Sequence, residues 1–208
     1  MRVSHKYKLI FLSNPKTGST SVRNTLNSIS EIKSGITDKS LFHHLKAKDA
    51  KKYLINKNLD IWNDYVSFTT IRNPYARAVS NYFYSKPDKN GKHYYEAEYD
   101  ETTALHIDFN LWLKLKINEE GFIPGLLSYE EFCCDENGNN LVDIVIPIEK
   151  IDEELPKILK PLGFDYNKEV PITNKTTHKR YQDYFNEESV ELIKRKYKKD
   201  IELGNYDF

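Results

Sequence analysis

The chain carries two cysteines in 208 residues, Cys133 and Cys134, and they are neighbours. Adjacent cysteines bridge only through a strained ring, so no disulfide framework is available, and both thiols read as small core residues in a reducing compartment. Glycine and proline number eight each, too few for a collagenous or low-complexity chain. Net charge is also missing: 31 basic residues face 31 acidic ones. No global field marks a nucleic-acid or membrane-surface binder, and an anionic ligand has to be held by a local cluster. No apolar run approaches the roughly 18 residues of a membrane span, and no charged-then-apolar leader precedes the first element. These absences predict a soluble, cytoplasmic protein that inserts into no membrane and binds no nucleic acid. No repeat at solenoid periods occurs. Aromatic side chains are plentiful, 15 Tyr and 10 Phe, and a chain of this length supports the core of one domain.

Residues 7–13 form a short β-prone run, too apolar on both sides for a half-exposed strand. A turn of small and hydroxylated residues follows, and then Val22, Leu26 and Ile29 recur at helical spacing. Residues 45–56 read as helix and 65–71 as a second buried strand; Pro74 then opens a helix to about Tyr84. Residues 85–103 are polar and tyrosine-rich and read as a surface loop, before a helix over 104–118. A turn at 135–140, a strand at 142–148, a helix at 152–162, a basic loop at 174–180 and a closing helix at 186–200 complete the order. Strands alternating with helices predict an α/β fold: a single domain over residues 1–208, with a central parallel sheet flanked by helices.

A strand feeding a Ser/Thr-rich loop and then a helix is a ready anion site, because loop amides and the helix N-terminus direct partial positive charge to one spot. Here the loop is Asn14-Pro15-Lys16-Thr17-Gly18-Ser19-Thr20-Ser21, in which Lys16 adds a full charge and the hydroxyls add donors. It is not a Walker A loop, since Lys16 precedes Gly18 by two residues and no glycine stands before it. An ordinary strand-to-helix turn with Ser/Thr caps is the competing reading of this segment alone. The second strand ends at Arg72-Asn73-Pro74, and Ser80 follows Arg72 by eight residues, about two helical turns. Arg72 stands where open α/β sheets bind ligands and offers a bidentate fork for phosphate, with Ser80 as a further donor.

Together these segments resemble the PAPS-dependent sulfotransferases, specifically the carbohydrate-type family 2 enzymes. The loop from Pro15 to Ser21 is similar to their 5′-phosphosulfate loop, and Arg72 through Ser80 to their 3′-phosphate motif. Tyr181-Gln182-Asp183-Tyr184-Phe185 and the closing residues resemble the family's C-terminal part. The resemblance implies a P-loop-like PAPS-binding fold with a variable acceptor-side insertion at about 85–140. It implies 3′-phosphoadenosine-5′-phosphosulfate (PAPS) as co-substrate, no metal, and an acceptor hydroxyl on a saccharide. A simple alcohol or phenol acceptor, and a P-loop-type nucleotide kinase, are the alternatives. Animal relatives are often Golgi enzymes with an N-terminal anchor, which makes the Golgi lumen the alternative compartment.

On this resemblance Lys16 steadies the departing phosphate, Pro15, Thr17, Gly18, Ser19, Thr20 and Ser21 form the 5′-phosphate cradle, and Arg72 and Ser80 hold the 3′-phosphate. Lys179 and Arg180, with Lys175 and His178, form a basic cluster that in the family closes over the nucleotide; a solvated charge run is the alternative. The attacking hydroxyl needs a base. Of the pair His43-His44, His44 matches the family's histidine better, against the alternative of a helix-start residue that only packs. Arg77 is open between ligand contact and structural ion pair, and Glu149 reads as a structural strand-end carboxylate. Trp62 and Trp112 are expected as buried anchors. Tyr82, Tyr84, Tyr94, Tyr95 and Tyr99 are either an acceptor-stacking wall or ordinary surface.

Overall fold

Leu9, Ile10, Phe11 and Leu12 are all buried, as a strand covered on both faces demands. In this computed structural model, which describes residues 1–85, 107–118, 124–171 and 179–208, they form β2 (Leu9–Leu12) at the centre of a five-stranded sheet. The other strands are β1 (Arg2–Ser4), β3 (Ile32–Lys33), β4 (Val66–Ile71) and β5 (Ile144–Pro147), in the order β3-β1-β2-β4-β5. β2, β4 and β5 run parallel, with Phe11 opposite Phe68 and Phe68 opposite Ile144. The sheet is nevertheless mixed rather than parallel throughout. β1 pairs antiparallel with both β2 and β3. Strands of three and two residues are too short to show alternation, and the expected first strand, 7–13, begins only at Leu9 because residues 5–8 form the hairpin turn, with Lys8 at φ 48°.

The described chain forms two compact units that interleave in sequence: residues 1–72 with 129–173, and residues 73–128 with 174–208. The first holds the sheet, α1 (Ser19–Leu26), α2 (Ala47–Asn56), α5 (Tyr129–Cys133) and α6 (Ile151–Leu159). A core cluster in it joins Leu9, Phe11 and Phe68 of the sheet to Leu26 of α1 and Leu155 and Leu159 of α6. The Phe11 and Phe68 rings lie 4.8 Å apart, the cross-strand aromatic pairing that pins register. Trp62 is buried and donates through Nε1 to the Leu141 carbonyl at 3.1 Å. Cys133 is buried and Cys134 half-buried, and Glu149 lies exposed in a single turn of 3-10 helix after β5. The turn at 135–140 is built on Asp135, whose Oδ1 accepts from the amides of Asn137 and Asn139.

The second unit is helical: α3 (Pro74–Tyr84), α4 (Phe109–Asn118), α7 (Glu187–Lys196) and α8 (Lys198–Gly204). Asn73 caps α3 by accepting from the amides of Tyr75 and Ala76, with Pro74 in the first turn. α4 starts at Phe109, where Asp108 accepts from the Asn110 and Leu111 amides, and residues 104–106 of the expected helix lie outside the described residues. The closing helix is two: Tyr197 leaves helical geometry between α7 and α8 and donates its hydroxyl to the Leu126 carbonyl at 2.6 Å. The core here is aromatic, with Tyr75, Tyr82, Phe109 and Trp112 at its centre. Tyr82 is therefore core, and Tyr84 is half-buried; Tyr94, Tyr95 and Tyr99 lie outside the described residues.

Candidate active site

The phosphate-loop candidate leaves the carboxyl end of β2 and is tied to the end of β4. The Asn14 side-chain amide donates to the Thr70 carbonyl at 3.3 Å. The Thr17 hydroxyl donates to the Asn14 carbonyl at 2.9 Å, so the Thr70 hydroxyl, 2.7 Å from Thr17 Oγ1, donates to it in turn. Thr17 thus shapes the loop with its hydroxyl. Pro15, Ser19 and Ser21 are buried in the same turn, and Thr20 Oγ1 accepts from the Arg23 guanidinium at 3.0 Å. Two residues take left-handed backbone, Lys16 at φ 62° and Gly18 at φ 69°. A Cβ on Gly18 would also lie 2.6 Å from Ile148 Cγ1, so both conformation and space call for glycine there. Gly18 is the N-cap of α1, no side chain caps it, and no acidic residue sits in the first turn. The helix offers an N-terminus suited to an anion.

Arg72, the residue after β4, donates to the Lys16 carbonyl across 3.4 Å. The Lys16 ammonium is lowered to about 7, first by burial and then by the like charge of Arg72. The like charge of Arg72 disfavours the protonated form of Lys16, and an anion within reach of both would favour it.

His44 lies in the turn before α2, which begins at Ala47. Its Nδ1 is 2.7 Å from the Ser13 carbonyl oxygen. A carbonyl only accepts, so Nδ1 carries the proton and Nε2 keeps its lone pair. The imidazole pKa is lowered to about 4, chiefly by burial, with the Ser13 bond opposing and Arg23 adding to the shift. The ring is neutral at pH 7, the state a general base needs. His43 turns elsewhere: its Nδ1 meets Ser34 Oγ at 3.0 Å, and its ring fills the space beside Gly35.

The loop, Lys16, Arg72 and His44 thus belong to one unit, around the carboxyl ends of β2 and β4. Ser80 belongs to the helical unit, buried on α3. Arg77, on the same helix, is a structural ion-pair residue: it is 1% exposed, donates to the Leu127 carbonyl at 2.7 Å and faces the buried Asp200 carboxylate at 3.8 Å. Lys179 and Arg180 are exposed; Arg180 pairs with Asp183 at 3.3 Å, and the Lys179 amide donates to the Tyr184 hydroxyl. Lys175 and His178 lie outside the described residues. The supports not anticipated from the sequence are the Ser13 carbonyl, Asn14, Thr70 and Ile148. Only Asn14 carried a signal, as a polar residue at the mouth of a strand. Among the described residues no three His, Cys, Asp or Glu side chains converge as a metal site, and no helix is long and apolar enough to cross a membrane.

A cationic loop on a helix N-terminus, with a neutral imidazole held beside its root, is an arrangement suited to chemistry at an anionic group. The chain belongs to the sulfotransferase family: the model described as "Sulfotransferase family" matches residues 1–207, and the chemistry is sulfuryl transfer. Comparison with curated proteins and with solved structures gave no match.

Proposed function

We propose that the protein transfers the sulfuryl group of PAPS to a hydroxyl of a saccharide acceptor, with no metal. The observation that carries this reading is the pairing of Lys16 and Arg72 beside the uncapped start of α1, a donor set that fits a phosphate ester better than a neutral ligand. The amides of the loop from Thr17 to Ser21 hold the 5′-phosphate. Lys16 stabilises the charge that builds on the bridging oxygen. Arg72 takes the 3′-phosphate, the group that separates PAPS from common adenine nucleotides.

His44 accepts the acceptor's proton at Nε2 while its Nδ1–H stays on Ser13. The acceptor oxygen forms the new O–S bond as the S–O bond to the 5′-phosphate breaks. 3′-Phosphoadenosine-5′-phosphate (PAP) leaves with the electron pair, and Lys16 faces the resulting charge. Positioning and electrostatics supply the catalysis, as in other in-line group transfers.

The test is incubation with sulfur-labelled PAPS and a panel of mono- and oligosaccharides, alongside simple alcohols and phenols. Labelled saccharide is expected with the wild-type protein and is lost in Lys16→Ala. Label on the alcohols or phenols alone moves the acceptor class. Magnesium-dependent ATP turnover in place of PAPS use overturns the donor.

A further inference from the structure

Phe42 stands two residues before His44, and the residue is 49% exposed. Its neighbours are firmly held. Leu41 is buried, and the His43 carbonyl accepts from the Met1 amino group at 3.0 Å. The His43 ring is wedged against Gly35, where a Cβ would lie 2.2 Å from Cε1. His44 is fixed to the Ser13 carbonyl at 2.7 Å. The exposure of Phe42 is therefore not that of a frayed loop: the fold pins the residues around it and leaves this ring in solvent. The ring is in contact with the site, since the Phe42 and His44 rings meet in a T-shaped contact, 5.8 Å between centroids and 78° between planes. The remaining surface is an apolar platform beside the imidazole that receives the acceptor's proton.

We infer that Phe42 is an acceptor-positioning residue: it packs against the ring face of a cyclic acceptor and brings one of that ring's hydroxyls to Nε2 of His44. This rests on the sulfotransferase reading of the site. Pyranose rings present a C–H face and aryl rings a π face, and either packs on an exposed phenyl ring, whereas a short acyclic alcohol has no such face. Because the ring contact of Phe42 is to His44, its effect falls on acceptor binding, with donor binding unchanged. A ring held on this platform also loses the freedom to tumble, which places its hydroxyl in line for attack.

The experiment compares wild type, Phe42→Ala and Phe42→Tyr for sulfuryl transfer from PAPS to methyl β-D-galactopyranoside, to 2-naphthol and, as an acyclic control, to 1,3-propanediol. PAP affinity is measured by calorimetry for each variant. The expected result is a rise of roughly tenfold in KM for a ring acceptor in Phe42→Ala. Phe42→Tyr restores it, and PAP affinity and the propanediol rate stay within about twofold throughout. Three results overturn the inference: an unchanged ring-acceptor KM in Phe42→Ala, parallel loss of PAP affinity, or wild-type transfer that never favours a ring acceptor over propanediol. A wild-type protein that fails to bind PAP at all instead overturns the sulfotransferase donor reading beneath it.

Discussion

The imidazole of His44 donates its Nδ1 proton to the carbonyl oxygen of Ser13 across 2.7 Å, tying the candidate base to the residue just before the candidate phosphate loop. One hydrogen bond thereby sets both the tautomer and the position of the ring. His44→Ala is expected to lower kcat by about 10²–10⁴-fold while PAP affinity stays within about twofold. The free imidazole titrates at about 4, so the neutral base persists as pH falls to that value. In the free enzyme kcat/KM should be insensitive to this group above about pH 5 and should decline below it. Equal losses of PAP binding and turnover in the variant would make His44 a structural residue instead.

Lys16 predicts an opposite dependence on pH. Its ammonium is lowered to about 7 in the free protein, by burial and then by Arg72, whereas an unfolded lysine stays protonated to about 10.5. An anion binds the protonated form. Below pH 7 the proton is already present; above it, binding must take one up. Affinity for PAP should therefore fall from about pH 6.5 to about pH 8.5, by up to about tenfold per unit. Calorimetry in buffers of different ionisation heat detects the proton uptake directly. Lys16→Arg should flatten the profile, because a guanidinium keeps its charge over this range. The same shift costs folding stability fully below pH 7, and the cost is relieved between 7 and 10.5, where only the unfolded chain holds the proton, so the free protein should gain stability as pH rises through that range.

Gly18 is required twice over, by its φ of 69° and by Ile148 at 2.6 Å from the position of a Cβ. Gly18→Ala should cost roughly 1–3 kcal/mol of stability and distort the PAP cradle. Adding Ile148→Ala removes the contact but not the backbone strain, so thermal denaturation should show only partial recovery. Full recovery would assign the whole effect to packing.

In the helical unit Arg77 and Asp200 are 1% and 0% exposed, with Nη1 and Oδ1 3.8 Å apart. Arg77→Ala strands a buried carboxylate and should cost about 3–5 kcal/mol. Arg77→Met with Asp200→Leu should recover most of that loss, since the hydrophobic pair leaves no charge behind. Urea denaturation of the three proteins measures it. A double variant no more stable than Arg77→Ala would show that the Leu127 carbonyl, which Arg77 also serves, carries the larger part.

Much of this was legible in the residues. Four consecutive apolar positions announced β2, and Asn73-Pro74 announced the start of α3, because both are local signals. That Lys16, Gly18 and Arg72 lie together could be anticipated because strand-loop-helix order fixes where the loop and the strand-end side chain converge. β1 and β3 escaped because strands of three and two residues show no period, and with them went the mixed character of the sheet. The break at Tyr197 depends on a hydroxyl finding the carbonyl of Leu126, far away in sequence. Arg77 stayed ambiguous for the same reason, its partner being Asp200. The anchor of His44 is a backbone carbonyl, a group every residue carries and no motif singles out.

The proposed donor specificity rests on Arg72 reading the 3′-phosphate. The direct measurement is a calorimetric titration with PAP, 5′-AMP and ATP, repeated with Arg72→Ala. PAP should bind tightest, and the substitution should cost it roughly 1.5–3 kcal/mol, about ten- to a hundredfold, while barely changing 5′-AMP. ATP binding as tightly as PAP, or an Arg72→Ala protein that still prefers PAP by the same margin, would contradict the account.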